Sequence, residues 1–166
     1  MSGLSQAVEP DRIAALNSWL ASQEGEQLEF KEARNTFHED ELGRYCCALA
    51  NEGGGKLVLG VSDRRPRRVV GTTVFPQIEA VRRRLMEHLP LRIEIEEIPH
   101  PDGRVLAFLI PSRPLGSPLR WKGVYWSRQA DALVPMAEDR LRAIFSETGR
   151  DFSSEICRDA RIEDLD

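Results

Sequence analysis

The spacing of apolar residues changes from helical to strand-like within the first thirty residues. Apolar positions that recur at intervals of three and four predict an N-terminal helix. Residues 27–32 then alternate, so that Leu28 and Phe30 share one face and Glu29 and Lys31 share the other. We therefore expect Leu28 and Phe30 to face a core, and Glu29 and Lys31 to face outward.

A second helix and a buried strand are predicted in the next thirty residues. Thr36 and Glu39 have the spacing of a capping box, which indicates a helix start. The apolar face of this helix is formed by Leu42, Tyr45, Cys46 and Leu49. The glycines from Gly53 onward end the helix and allow left-handed backbone and close packing. Residues 57–61 are continuously apolar, which is typical of a central strand buried on both faces.

The second half of the chain predicts a strand, a helix, two strands, a hairpin and a helix. In order, these elements cover residues 69–71, 76–89, 91–95, 105–110, 121–126 and 138–145. A Pro-Asp-Gly turn at residues 101–103 joins two of the strands as a hairpin. Because strands and helices do not alternate regularly, the predicted fold class is α+β, a mixed β-sheet flanked by helices.

Composition narrows the class of protein. The 166 residues are 41% hydrophobic and 30% charged, which is typical of a soluble globular protein with one domain of ordinary size. No apolar run approaches the roughly 20 residues that span a bilayer, and no signal peptide is visible, so we expect no membrane partner. Three cysteines without disulfide or metal spacing predict a cytoplasmic location.

The distribution of charge matters more than its total. A net charge of −4 by itself argues against a nucleic-acid partner, which requires local positive potential. However, residues 56–128 contain 14 Lys and Arg and only 7 Asp and Glu, between acidic ends. This basic middle segment is compatible with phosphate binding.

Two motifs carry a family resemblance. Residues 28–31 are Leu-Glu-Phe-Lys, and residues 48–61 contain Ala-Leu-Ala-Asn-Glu-Gly-Gly followed by an apolar strand ending in Gly-Val. Together they resemble the Schlafen AlbA-type domain. The resemblance implies a Schlafen AlbA-like fold that binds nucleic acid, preferably DNA, in a transcriptional regulator or helicase-related protein. The expected organisation is a helix (1–22), this domain (23–147) and a connector to a C-terminal region (148–166).

Basic and aromatic residues define the expected nucleic-acid contacts. Arginines cluster in a loop after the predicted central strand, and Tyr125 and Trp126 supply stacking surface between two cations. Trp126-Ser127-Arg128 matches an aromatic-x-Arg motif of the resembled family, although the residues that follow, 130–132, depart from its pattern. The full predicted set is Lys31, Arg64, Arg65, Arg67, Arg68, Lys122, Tyr125, Trp126 and Arg128. For binding through these residues we expect no cofactor.

Two alternative functions stay open. By resemblance to the Schlafen nuclease lobes, Glu24, Glu29 and Asp63 would bind Mg²⁺ or Mn²⁺ in a metal-dependent ribonuclease. Because those nucleases use two lobes, homodimerisation is a further expectation. The second alternative is a protein-interaction or dimerisation module in which Tyr125 and Trp126 contact the partner.

Overall fold

The computed structural model describes residues 2–22 and 27–147. Its helices are α1 (Ser2–Ala21), α2 (Glu39–Asn51), α3 (Ile78–His88) and α4 (residues 138–147). Its strands are β1 (Leu28–Lys31), β2 (Gly55–Leu59), β3 (Glu94–His100), β4 (Gly103–Ile110), β5 (Trp126–Gln129) and β6 (Ala132–Pro135). No helix in these two described ranges is long and apolar enough to cross a membrane.

Four strands form a mixed sheet in the order β1-β2-β4-β3. β1 and β2 are parallel, whereas β2–β4 and β3–β4 are antiparallel. β5 and β6 form a separate hairpin that packs on α2. The predicted α+β class with a mixed sheet is therefore confirmed. The two edge strands, β1 and β3, lie at opposite sides of the sheet.

Each face of the sheet carries its own apolar cluster, because strand side chains alternate. Leu57 and Leu59 pack with α2 and α3, whereas Val58 and Phe30 pack with Leu16 of α1. Leu57, Val58 and Leu59 have no exposed surface, so the prediction of a central strand buried on both faces is confirmed. The predicted burial of Phe30 is also confirmed.

Four elements differ from the sequence prediction, and one of them is the last hairpin, which lies at residues 126–135 and not at 121–126. The capping box is wrong, because α2 starts after His38 and no side chain caps it. The acidic residues Glu39 and Asp40 in the first turn instead interact favourably with the helix dipole. Residues 69–71 form only a single bridge, Val61 to Val69. The strand predicted at 91–95 begins at Glu94 and runs to the hairpin turn.

Glycines connect α2 to β2 where the backbone passes close to other chain segments. Gly54 has a φ of +93°, and a Cβ there would lie 2.8 Å from the carbonyl oxygen of Ile110. A Cβ on Gly55 would lie 2.6 Å from the carbonyl oxygen of Gln27. The glycine cluster therefore serves close packing, as its position between a helix and a strand predicts.

Candidate nucleic-acid interface

Asn51, at the end of α2, holds the segment that leads into the β5–β6 hairpin. Its buried side-chain amide donates to the carbonyl oxygens of Leu119 at 3.0 Å and Trp126 at 2.8 Å. Its Oδ1 accepts from the backbone N–H of Leu119 at 2.7 Å. These bonds satisfy a buried amide and fix the hairpin against the helix. The asparagine of the Ala-x-Ala-Asn motif thus has a structural role here.

The next residue extends this attachment. Glu52 accepts hydrogen bonds at Oε1 from the Ser127 hydroxyl at 2.7 Å and from the Arg128 backbone N–H at 3.2 Å. β5 is consequently held in one register beside α2. This register directs the side chains of Trp126 and Arg128 to the same side of the hairpin.

Arg128 reaches edge strand β1 and forms a buried ion pair. Its Nη1 lies 2.6 Å from Oε2 of Glu29, and the side chains are only 4% and 6% exposed. Lys31 lies 3.6 Å from the other carboxylate oxygen. The expectation that Glu29 faces outward is therefore wrong, because the β5–β6 hairpin covers this side of β1 and brings Arg128 to the carboxylate. Arg128, predicted as a nucleic-acid contact, does not present its guanidinium to solvent.

Lys31 is partly exposed and belongs to the same polar group. Its ammonium also lies over the ring of Tyr45, 5.2 Å from the centroid. Burial by itself would lower the pKa of Lys31, but its hydrogen bond to Tyr45 and the charges of Glu29 and Asp63 raise it above the ordinary value. Burial raises the pKa of Tyr45, so the phenol stays neutral. Lys31 is therefore positively charged at neutral pH.

The arginine loop, residues 64–68, follows directly after the end of β2. Gly60 N–H bonds to the Lys31 carbonyl at 2.9 Å, so this loop starts beside Lys31. Ser62 closes the base of the loop, because its N–H bonds to Arg68 O at 2.9 Å and its hydroxyl accepts from Arg68 N–H at 3.0 Å. The side chains of Arg64, Arg65 and Arg68 are exposed and have no ion-pair partner among residues 2–22 and 27–147.

Arg67 differs from the other arginines of the loop. Its guanidinium lies 4.5 Å from the centroid of the Phe30 ring, and its Nη1 donates to the Ser62 carbonyl at 3.3 Å. Such cation–π stacking packs the loop against the body of the domain. Arg67 therefore supports the loop, while its neighbours extend from it.

A second basic area, the tryptophan patch, comprises Arg44, Lys122 and Trp126. The Arg44 guanidinium lies 5.0 Å from a ring centroid of Trp126, and Arg44 and Lys122 contact Asp40 at 3.9 and 2.5 Å. Hydrogen bonds from Lys122 and from the Trp121 indole lower the pKa of Asp40. Sequence reasoning missed Arg44. Its helical spacing of four from Asp40 was the available signal.

Tyr125 points away from the tryptophan patch. Its ring makes an edge contact with Phe145 at 6.4 Å and lies under Arg120, whose guanidinium carbon is 5.6 Å from the centroid. The structure therefore separates Tyr125 from Trp126, which sequence reasoning had grouped as one stacking surface. Strand alternation explains the difference.

The three predicted metal ligands are only partly described. Glu24 lies outside the described residues, Glu29 is in the ion pair with Arg128, and Asp63 is exposed near Lys31. Within the described ranges, no three His, Cys, Asp or Glu residues come together as a metal site. Glu29 and Asp63 do not fit Mg²⁺ or Mn²⁺ by themselves, because two cations already contact the Glu29 carboxylate. The three-carboxylate site stays a prediction that depends on Glu24.

The sequence model of the family described as Schlafen, AlbA_2 matches residues 24–137, which include β1, the α2–β2 motif, the arginine loop and the hairpin. The chain belongs to this family, which is associated with nucleic-acid interaction. No curated protein matches the chain at a significant level.

Two solved structures are similar to this chain. The DIP2311 protein from Corynebacterium diphtheriae is 22% identical with a TM-score of 0.56, over 75% of this chain and 29% of that chain. The N-terminal domain of a RecG-related protein from Nitrosomonas europaea is 23% identical with a TM-score of 0.48, over 74% of this chain and 88% of that one. The first likeness shows the fold alone, and the chain spans less than a third of the length of DIP2311.

Proposed function

We propose that this domain binds DNA, in preference to RNA, through the arginine loop, Lys31 and the tryptophan patch. One observation carries the proposal. Arg64, Arg65 and Arg68 extend from a loop closed at its base, beside the charged Lys31, with no ion-pair partner among the described residues. Elsewhere, Arg82, Arg84 and Arg113 are paired with carboxylates.

The geometry favours contacts to phosphate over contacts to base edges. Arginines that radiate from a short closed loop match the repeated charges of a nucleic-acid backbone, which carries no sequence information. Because the loop is already ordered by Ser62 and by the stacking of Arg67 on Phe30, binding loses little conformational entropy. Binding is therefore salt-dependent and largely independent of sequence.

The proposed setting is the front part of a transcriptional regulator or helicase-related protein in the cytoplasm. This wider role rests on the family alone. Homodimerisation also belongs to the proposal, and sedimentation of the free chain and of its DNA complex tests it.

The test is a salt series with a labelled duplex of mixed sequence. Fluorescence anisotropy measures Kd between about 50 and about 200 mM salt for the wild type and for a variant with Arg64→Ala, Arg65→Ala and Arg68→Ala. Each phosphate contact contributes about −0.9 to the slope of log K against log salt. We expect the triple variant to flatten the slope by about 2 to 3. Parallel titrations with RNA and single-stranded DNA test the preference for duplex DNA.

The matched control removes the same charge from α3 through Arg82→Ala, Arg83→Ala and Arg84→Ala. If binding depends on the arginine loop, this control keeps most of the wild-type slope. The proposal is wrong if the wild type does not bind at low salt. It is also wrong if the two triple variants lose the same slope, because net charge alone would then explain the effect.

A further inference from the structure

The strand β3 forms the edge of the sheet opposite β1, and its hydrogen-bonding direction can be assigned. The carbonyl of Arg104 accepts from Thr72 N–H at 2.8 Å, away from β3, so the neighbouring Val105 faces β3 and pairs with Ile98. The main-chain N–H and C=O groups of successive residues in β3 therefore point to opposite sides of the strand. The main-chain groups of Ile95 and Glu97 point away from β4, to the side where no other described strand lies.

Part of this edge is already protected. Arg12 of α1 donates to the carbonyl of Glu97 at 3.2 Å, and Pro99 has no N–H to offer. The N–H and C=O of Ile95 have no main-chain hydrogen-bond partner among the described residues on this side of β3. Because both groups of one residue point the same way, an added strand can form a pair of hydrogen bonds there.

A groove runs along this part of the edge. Its cavity of about 760 Å³ lies between α3 and residues 89–96, with Arg82 and Met86 on the helix side. Met86 is 53% exposed, and Arg82 is neutralised by Glu79 at 2.5 Å. On the other face of the strand, Arg92 and Glu94 are exposed and Glu96 is half-buried. The edge therefore offers an apolar side and a charged side to an occupant.

The charged side argues against a second copy of the chain. Antiparallel pairing of two β3 strands about Ile95 would place Glu94 of one copy opposite Glu96 of the other. Like charges directly opposite each other destabilise a pair of strands. A strand with basic residues at those two positions has complementary charge instead.

We propose that β3 binds an extended protein segment by strand addition at Ile95. The segment carries Lys or Arg opposite Glu94 and Glu96, an acidic residue opposite Arg92, and an apolar residue between the two basic ones. That apolar side chain lies on the other face of the added strand, over Met86. Main-chain hydrogen bonds give the affinity, and the alternate side chains give the specificity.

The probe is a fluorescent peptide of about ten residues in which alternating lysine and valine are followed by one acidic residue, because an antiparallel strand runs opposite to β3. Anisotropy with the full chain measures its Kd. Two control peptides should each bind about tenfold more weakly. One has the same residues in scrambled order, and the other is N-methylated at the amides that face β3. Amide chemical-shift changes should centre on Ile95 and Glu97.

Charge reversal on the protein provides the second arm. The double variant Glu94→Lys, Glu96→Lys should weaken the peptide by about tenfold or more. The matched control, Asp131→Lys with Asp139→Lys, alters the net charge equally outside the groove and should change Kd less than about twofold. The proposal is wrong if the scrambled or N-methylated peptide binds as tightly as the probe. It is also wrong if the two double variants behave alike, or if sedimentation shows a dimer that only the Glu94 and Glu96 changes disrupt.

Discussion

Arginine residues of this domain form two sets, one exposed without an ion-pair partner among the described residues and one paired with carboxylates. Arg64 and Arg68 extend into solvent from the arginine loop, with no ion-pair partner among the described residues. Arg113 binds Glu147 with two hydrogen bonds of 2.8 Å, and Arg128 binds Glu29 at 2.6 Å. Arg104 binds Glu97 at 2.6 Å and the carbonyls of the loop before α3. The first set is available to a ligand, and the second cross-links the fold.

The two sets differ in whether a carboxylate lies within ion-pair distance of the guanidinium. A buried guanidinium is tolerated only with a carboxylate and further acceptors, so each paired arginine marks a place where two chain segments are joined. The positive charge of residues 56–128 includes Arg113 and Arg128. Their carboxylate partners, Glu147 and Glu29, lie outside that segment, so the count leaves out the negative charges that neutralise them. The positive charge available to a ligand is therefore smaller than the sequence indicates and is concentrated in the arginine loop.

The largest expected effect concerns Phe30, whose ring lies beneath Arg67 of the arginine loop. Phe30→Ala removes a ring that is 2% exposed and should lower the free energy of unfolding by about 3–5 kcal/mol. Phe30→Leu, the matched control, should cost less because it leaves a smaller cavity. Urea denaturation measures both. A loss below about 1 kcal/mol for Phe30→Ala would contradict its placement in the core.

Arg128→Ala tests whether this arginine is a cross-link. Removing it leaves Glu29 buried with Lys31 as its remaining cationic partner among the described residues, and should cost about 3 kcal/mol of unfolding free energy. Arg83→Ala, an exposed control, should stay within about 0.5 kcal/mol of the wild type. Adding Glu29→Gln to Arg128→Ala should restore part of the loss. Weakened DNA binding at unchanged stability would instead make Arg128 a ligand contact.

Lys31 shares features of both sets, because it pairs with Glu29 and is also partly exposed to solvent. Lys31→Met keeps the packing on Tyr45 and should cost about 1 kcal/mol, with a loss of about 0.9 from the salt slope of DNA binding. The pKa of Lys31 is raised above 10.5, so its stabilising contribution is fully present below that pH and is lost only above it. The stability difference measured at pH 7 and pH 9 should therefore be the same.

Much of the fold could be predicted because its elements follow local hydrophobic patterns. The apolar run of β2, the alternation around β1 and the glycine turn after Asn51 each specify their own structure. The start of α2 could not be predicted in the same way, because its first turn is stabilised by acidic residues without a side-chain cap.

The site was less predictable because it depends on contacts between distant residues. Glu29 and Arg128 are ninety-nine positions apart, and neither sequence position indicates a buried ion pair. Alternation predicted Glu29 to be exposed, but the hairpin covers that side of β1. In the same way, only the packing of β5 on α2 brings Arg44 to Trp126. The arginine loop was predictable because its exposure follows from its own sequence.

The smallest expected effect concerns Asp40, which forms ion pairs with both Lys122 and Arg44 of the tryptophan patch. These two cations therefore resemble the paired arginines that cross-link the fold. Its lowered pKa keeps Asp40 ionised at neutral pH, where it offsets both cations. Asp40→Asn keeps an oxygen for the Trp121 indole N–H but releases the two cations. DNA affinity at low salt should rise by about two- to fivefold, and the salt slope should steepen by about 0.9 if Lys122 becomes a phosphate contact. Asp139→Asn on α4 makes the same charge change outside the patch and serves as the control. An equal gain in both variants would mean that only net charge matters, whereas no gain in Asp40→Asn would exclude the patch from the DNA interface.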